Sequence, residues 1–147
     1  METRFNMGVA EPAGYKAILA LDSYVEGNPV PQLQKEMIRI RASQINGCAY
    51  CVNMHTNDAR KHGEIEQRIH LMSVWREAGD IFTGEEQLIL EMTEQITLIS
   101  QHGLSDRLYD KAIELMGKEK TAQVIMTIIT INVWNRIGVA LKMQPKL

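Results

Sequence analysis

The sequence predicts an all-α fold of about seven helices, and three observations carry that reading. Apolar residues recur at helical spacings nearly throughout. Sustained alternation of period two is missing, as is any hairpin dipeptide between strand-like runs. Glycines, prolines and capping residues fall between the periodic segments, where helices stop and start. No internal repeat, low-complexity stretch or linker divides the chain, so residues 1–147 read as one domain.

The first helix is expected over residues 13–25, with Tyr15, Ile18, Leu19 and Leu21 near one face, stopped by the turn residues of EGNPVP. Pro31 suits the first turn of the second helix, where its missing N–H would have no partner in any case. That helix carries Leu33, Met37, Ile40 and Ile45 and ends at Gly47. A third starts near Cys48 and ends at His62-Gly63, and a fourth covers residues 65–79 with Ile65, Ile69, Met72 and Trp75 on its stripe. Thr83 and Glu86 have the spacing of a capping box and open a fifth helix through Leu88, Met92, Ile96 and Ile99, closed by His102-Gly103. Ser105 or Asp106 caps a shorter sixth helix to Met116-Gly117. The last runs from about residue 119 to 141. Its β-branched residues near 125–131 also favour strands, but their setting is helical.

Composition narrows the function. With 45% apolar and 23% charged residues the chain is globular rather than disordered. A net charge of -2 offers no basic footprint for nucleic acid and no polybasic segment for an anionic membrane. The most apolar run, VIMTIITINVW, is well short of the roughly 20 residues needed to cross a bilayer and reads as a buried helix. METRFNMGVA lacks the basic start and apolar run of a secretory signal, so the cytoplasm is the expected location. Thiols there are kept reduced, and a lone cysteine pair points to redox or metal chemistry more than to a staple.

Both cysteines of the chain lie in INGCAYCVNMHTNDARKHGE. At about 100° per residue, Cys51 and His55 fall within about 60° and about 20° of Cys48 on one helical face. Cys51 and His55 are an i, i+4 pair, so their side chains can meet. A helix N-terminus favours the thiolate, and a nearby histidine can accept the thiol proton. Lowering a thiol pKa from ~8.5 to ~6.5 would raise its thiolate fraction at neutral pH from roughly 3% to roughly 75%. A zinc site is a competing reading, but Cys48, Cys51 and His55 supply three ligands where four are usual, and His62 lies about 10 Å further along the helix. Buried inert cysteines are the third. His62, His70 and His102 read as surface or helix-end residues, the methionines as core filler, Trp75 and Trp134 as packing anchors, and Asn132 and Asn135 as structural links between helices.

Glu36 stands twelve positions before Cys48, and the set Glu36, Cys48-Ala49-Tyr50-Cys51, His55 resembles the core motif of the AhpD-like alkylhydroperoxidases within the carboxymuconolactone decarboxylase family. The segment QKEMIRIRASQINGCAYCVNMHTNDARKHG is similar to that core throughout, within a motif region of residues 31–63. EEQLILEMTEQIT and TIITINVWNRIGVAL resemble the later helices, so the likeness covers most of residues 31–141. It implies a homo-oligomer, trimeric or hexameric, and a peroxide-reducing dithiol cycle with Cys48 and Cys51 as the redox pair and His55 and Glu36 as proton relay. Cys51 would be the peroxidatic thiol, and Cys48, nearer the helix start and expected to be the more exposed, would resolve and meet a dithiol reductant, lipoyl-linked in the better-known members. Neither a cofactor nor a metal is expected. One departure is Tyr50, where better-studied peroxidases carry a histidine; a phenol titrating near ~10 is a poorer base. The alternatives are a carboxymuconolactone decarboxylase-type enzyme, a branch that generally lacks the cysteine pair, and a non-catalytic redox sensor or disulfide-exchange protein.

Overall fold

The computed structural model describes residues 1–146. Among the described residues there is no strand; seven α-helices and two tight helical turns make up the fold. The helices are α1 (Met7–Ala10), α2 (Pro12–Gly27), α3 (Gln32–Asn46), α4 (Ala49–Lys61), α5 (Glu66–Leu71), α6 (Gly84–Thr97) and α7 (Asp106–Ala140).

The central element is α3, which packs against α4, α6 and α7. Its residues 35–40, 42 and 43 are all buried, which one amphipathic stripe could not achieve. Ile38 and Ala42 join Leu88, Ile89 and Met92 of α6 and Val124, Ile128 and Ile131 of α7 in one core. Met37 and Ile40 face a second core with Ala59, Ile69, Met72, Trp75, Phe82 and Leu90. A third face carries Glu36, Arg39 and Ser43, at spacings of three and four, toward the cysteines. Buried Lys35 spans from α3 to the end of α2, donating to the carbonyls of Glu26 and Asn28 at 2.9 Å each and so satisfying two backbone acceptors there.

The capping signals act as their chemistry requires. Thr83 and Glu86 form the complete capping box at the head of α6, and the Ser105 hydroxyl accepts from Leu108 N–H to open α7. Gly117, at φ 75° and ψ 168°, breaks the α7 path where the sequence predicts the boundary between the last two helices. That backbone region is essentially closed to side-chain-bearing residues.

Three elements differ from expectation. The short α1 over Met7–Ala10 precedes the first helix that the sequence predicts. The helix expected over 65–79 is regular only to Leu71, then tightens into 3₁₀ turns over Met72–Glu77 and Gly79–Ile81. The stripe survives at Ile69, Met72 and Trp75, which recur every three residues, the period of the tighter helix, but not at Ile65, which caps α5 and is exposed. Trp75 is also fixed from outside: its indole donates to Glu94 at 2.9 Å, and Arg76 stacks over its ring at 4.3 Å. The α6 helix ends at Thr97 rather than continuing through Ile99, which projects from the core, 57% exposed. No helix among the described residues is long and apolar enough to cross a membrane.

Candidate active site

Gly47 turns the chain with φ 67°, the left-handed conformation that suits glycine, and delivers Cys48 to the N-cap of α4. There the Cys48 sulfur accepts the Cys51 backbone N–H at 3.3 Å, the role an N-cap oxygen usually fills. The two cysteines are joined as a disulfide, with Cα atoms 5.3 Å apart.

A glycine on α7 makes room for it. A Cβ at Gly138 would come within 2.8 Å of the Cys48 sulfur and 3.4 Å of the Cys51 sulfur. The α3–α7 register that puts Gly138 there is held by a polar ladder. Asn135 donates to Ser43 Oγ at 2.9 Å, Ser43 donates to the Arg39 carbonyl at 2.6 Å, and Asn46 donates to Asn132 and Asn135 at 2.9 Å each. Asn132 and Asn135 thus link helices, as expected from sequence.

Glu36 of α3 meets His55 of α4 in the interior. Glu36 is 2% exposed, and its carboxylate accepts from Gln32 Nε2 and Arg39 at 2.8 Å and from His55 Nδ1 at 2.9 Å. Burial pushes this carboxyl up. The His55 hydrogen bond, the Arg39 charge and the Gln32 amide together outweigh burial and hold it below its ordinary value. An ionised Glu36 fixes the proton of neutral His55 on Nδ1, which leaves Nε2 with a free lone pair. Nε2 is buried and has no hydrogen-bond partner. Buried polar atoms are nearly always paired, so an orphan of this kind calls for a functional account.

Beside these groups lies a cavity of about 590 Å³, lined by Glu36, Tyr50, Cys51 and His55 among others. Its far wall comes from α2, α7 and the N-terminal residues. These last are tied down where Arg4 N–H donates to the Leu141 carbonyl at 2.9 Å and its guanidinium to the Ala140 carbonyl at 3.0 Å. The cavity reaches Cys51 but not Cys48. The expectation that Cys48 is the more exposed sulfur does not hold: each cysteine is 2% exposed, and α7 covers Cys48 at Gly138.

The four residues singled out from sequence are thus brought together. Four others escape a linear reading. Arg39 clamps Glu36 and also pairs with Glu26, and its signal was its place one turn beyond Glu36. Asp58 offers a carboxylate oxygen within 4.8 Å of ligand atoms of Glu36 and His55, and it lies one turn beyond His55. Gly138 is a helix-interior glycine with no turn to make, which itself suggests a close approach. Trp134 is a cavity wall as well as an anchor, with its indole donating to Asp22 at 3.1 Å. His62 is exposed at the helix end, as expected, and also borders the cavity.

The all-helical fold and the comparisons that follow put this chain in the AhpD-like class. The profile of the carboxymuconolactone decarboxylase family matches residues 12–94, and the chain belongs to that family. An uncharacterised Bacillus subtilis protein, YdfG, is 39% identical over 141 residues, covering 96% of this chain and 95% of its own. A crystal structure from Agrobacterium tumefaciens, of a protein of unknown function described as a candidate AhpD antioxidant-defence protein, superposes with TM-score 0.95 at 36% identity over 99% of both chains. The debrominase Bmp8 shares the fold at TM-score 0.82 and 17% identity, over 93% of this chain and 73% of its own.

Proposed function

We propose that this protein is a thiol-dependent peroxidase that cycles Cys48 and Cys51 between dithiol and disulfide. The observation that carries this reading is the orphaned, buried Nε2 of His55, one helical turn from Cys51, with Nδ1 held by Glu36. In the reduced protein Nε2 takes the Cys51 thiol proton, and Glu36 stabilises the imidazolium. The Cys51 thiolate attacks the terminal peroxide oxygen and the O–O bond breaks. The alkoxide leaves as ROH with the proton from His55, and Cys51 becomes a sulfenic acid. Cys48 then attacks that sulfur, the disulfide forms and water departs.

A dithiol donor, of the lipoyl-linked kind in this reading, resets the site. Its thiolate attacks Cys51, the sulfur that the cavity reaches, and Cys48 leaves as a thiolate stabilised by the Cys51 N–H at the helix start. The donor's second thiol closes the donor disulfide. Overall, hydroperoxide and dithiol give alcohol, water and disulfide. Self-assembly into a trimer or hexamer belongs to the same proposal. It is supported by apolar side chains left outside both cores, such as Ile129 and Val139 of α7. The decarboxylase reading finds no use for the cysteine pair.

The test is intact mass against time after one equivalent of cumene hydroperoxide is added to the reduced protein. A loss of about two mass units, far faster than for dithiothreitol, is expected. His55→Ala should slow it by roughly 10²–10⁴-fold. Oxidation no faster than the free dithiol would overturn the reading. Fast oxidation with no turnover under any dithiol donor would favour a redox sensor instead.

A further inference from the structure

The cavity is far larger than hydrogen peroxide requires. Its volume is about 590 Å³, in the range of small-molecule sites, whereas one water accounts for roughly 30 Å³ of liquid. Its lining includes the apolar and aromatic side chains of Phe5, Met7, Tyr15, Leu19, Trp134 and Ile137. Tyr15 and Trp134 pack edge to face with centroids 5.5 Å apart, a preformed surface for a hydrocarbon group.

The charge of the lining is one-sided. Asp22, Glu26, Glu36 and Asp58 all border the cavity, and among the described residues Arg39 is its one lysine or arginine. Arg39 is already committed, its two terminal nitrogens going to Glu36 and Glu26. Lys61 pairs with Asp58 at 3.0 Å but lies outside the lining, 72% exposed along its side chain. The Asp22 carboxylate is met by the Trp134 indole, a neutral donor. An anion entering this space would therefore find carboxylates and no uncommitted lysine or arginine.

We infer that the site takes a neutral hydroperoxide with an aryl or branched-alkyl group and rejects hydroperoxides that carry a carboxylate, free fatty-acid hydroperoxides included. The inference rests on the peroxidase reading for its chemistry. The step is unchanged: the O–O bond of the bound peroxide breaks, Cys51 is oxidised to the sulfenic acid, and the neutral alcohol leaves with the proton from His55. The apolar group lies against Tyr15 and Trp134, which leaves the peroxide end toward Cys51.

The test compares three oxidants of the reduced full-length protein at pH 8, above the ordinary histidine range. They are cumene hydroperoxide with a para-carboxylate, its methyl ester, and hydrogen peroxide, each rate divided by its rate with dithiothreitol. The ester should exceed the carboxylate by at least tenfold and hydrogen peroxide by more, and Asp22→Asn should narrow the ester–carboxylate gap. With the ester well above its dithiothreitol rate, an equal normalised rate for the carboxylate, or hydrogen peroxide matching the ester, would overturn the inference. A second arm needs no peroxide chemistry: the two corresponding tertiary alcohols are titrated while tryptophan fluorescence is followed. The ester alcohol binding at least tenfold more tightly than the carboxylate supports the cavity assignment even if every hydroperoxide proves slow, which would sink only the peroxidase reading. Equal affinity would overturn it whatever the kinetics.

Discussion

Replacing Gly138 with alanine tests whether α7 fits closely around the oxidised cysteines. The new Cβ would lie 2.8 Å from the Cys48 sulfur, about 0.7 Å inside the ~3.5 Å at which carbon-sized atoms rest in contact. In the disulfide that sulfur is tethered on both sides and cannot swing away. As a free thiol it can rotate about χ1. Overpacking of this kind costs roughly 1–3 kcal/mol, and it falls mainly on the oxidised form. The gain of up to about 1 kcal/mol from exchanging a helix-interior glycine for alanine is common to both forms and cancels. The disulfide is then disfavoured relative to the dithiol by ~1–3 kcal/mol. That is about 20–65 mV of reduction potential, or roughly a 5- to 150-fold shift in the exchange constant. The assay equilibrates the protein in dithiothreitol buffers of graded potential, quenches with acid, alkylates the free thiols and counts adducts by mass. Cys48→Ala supplies the control: with the sulfur gone, Gly138→Ala should cost little, so the two changes should be strongly non-additive in thermal stability. An unchanged or more negative potential would refute the reasoning, as would an equal penalty in the presence and absence of Cys48.

Other perturbations read the remaining groups. Glu36→Gln removes a charge held below its ordinary value, so the sign is fixed: the wild-type carboxylate stabilises the fold above the unfolded value near ~4.3 and that contribution is lost as pH falls through the lower folded value. The variant should be less stable at neutral pH by roughly 1.5–3 kcal/mol, since Arg39 keeps Glu26 but loses a charge-assisted partner, and its stability should vary less on the acid side, as urea melts from pH 7 to pH 3 would register. Cys48→Ser should stop the cycle at a sulfenic acid on Cys51, captured by dimedone and located by peptide mass; capture on no residue would contradict Cys51 as the peroxidatic thiol. Gly117→Ala forces a side chain into the φ 75°, ψ 168° break of α7 and should cost roughly 1–3 kcal/mol in a thermal or urea melt while leaving the rate of Cys51 oxidation within about twofold.

Much of the fold is local and was therefore legible. The capping box at Thr83, the Gly47 stop, the Ser105 cap and the Gly117 break each follow from the chemistry of a few adjacent residues. The same holds for half of the site. Cys51 and His55 share a face because one regular helix carries them, their register is arithmetic on 3.6 residues per turn, and Cys48 sits just ahead as the N-cap. The 3₁₀ turns at Met72–Glu77 were not legible as such, because a three-residue stripe fits both helix types and the choice is tied to Trp75 reaching Glu94.

By itself, then, the sequence determined most of the helical segments, where most of them stop, and which face of α4 bears Cys51 and the imidazole. Tertiary structure alone decided that Glu36 reaches His55, that Arg39 is spent between two carboxylates, that Gly138 covers Cys48, and that the cavity opens on Cys51. The reason is physical. Periodicity fixes the direction of each side chain relative to its own helix axis, whereas the rotation, offset and crossing of two helices are set by how their side chains interlock. Which cysteine a substrate can reach depends on that interlocking, and no local pattern encodes it.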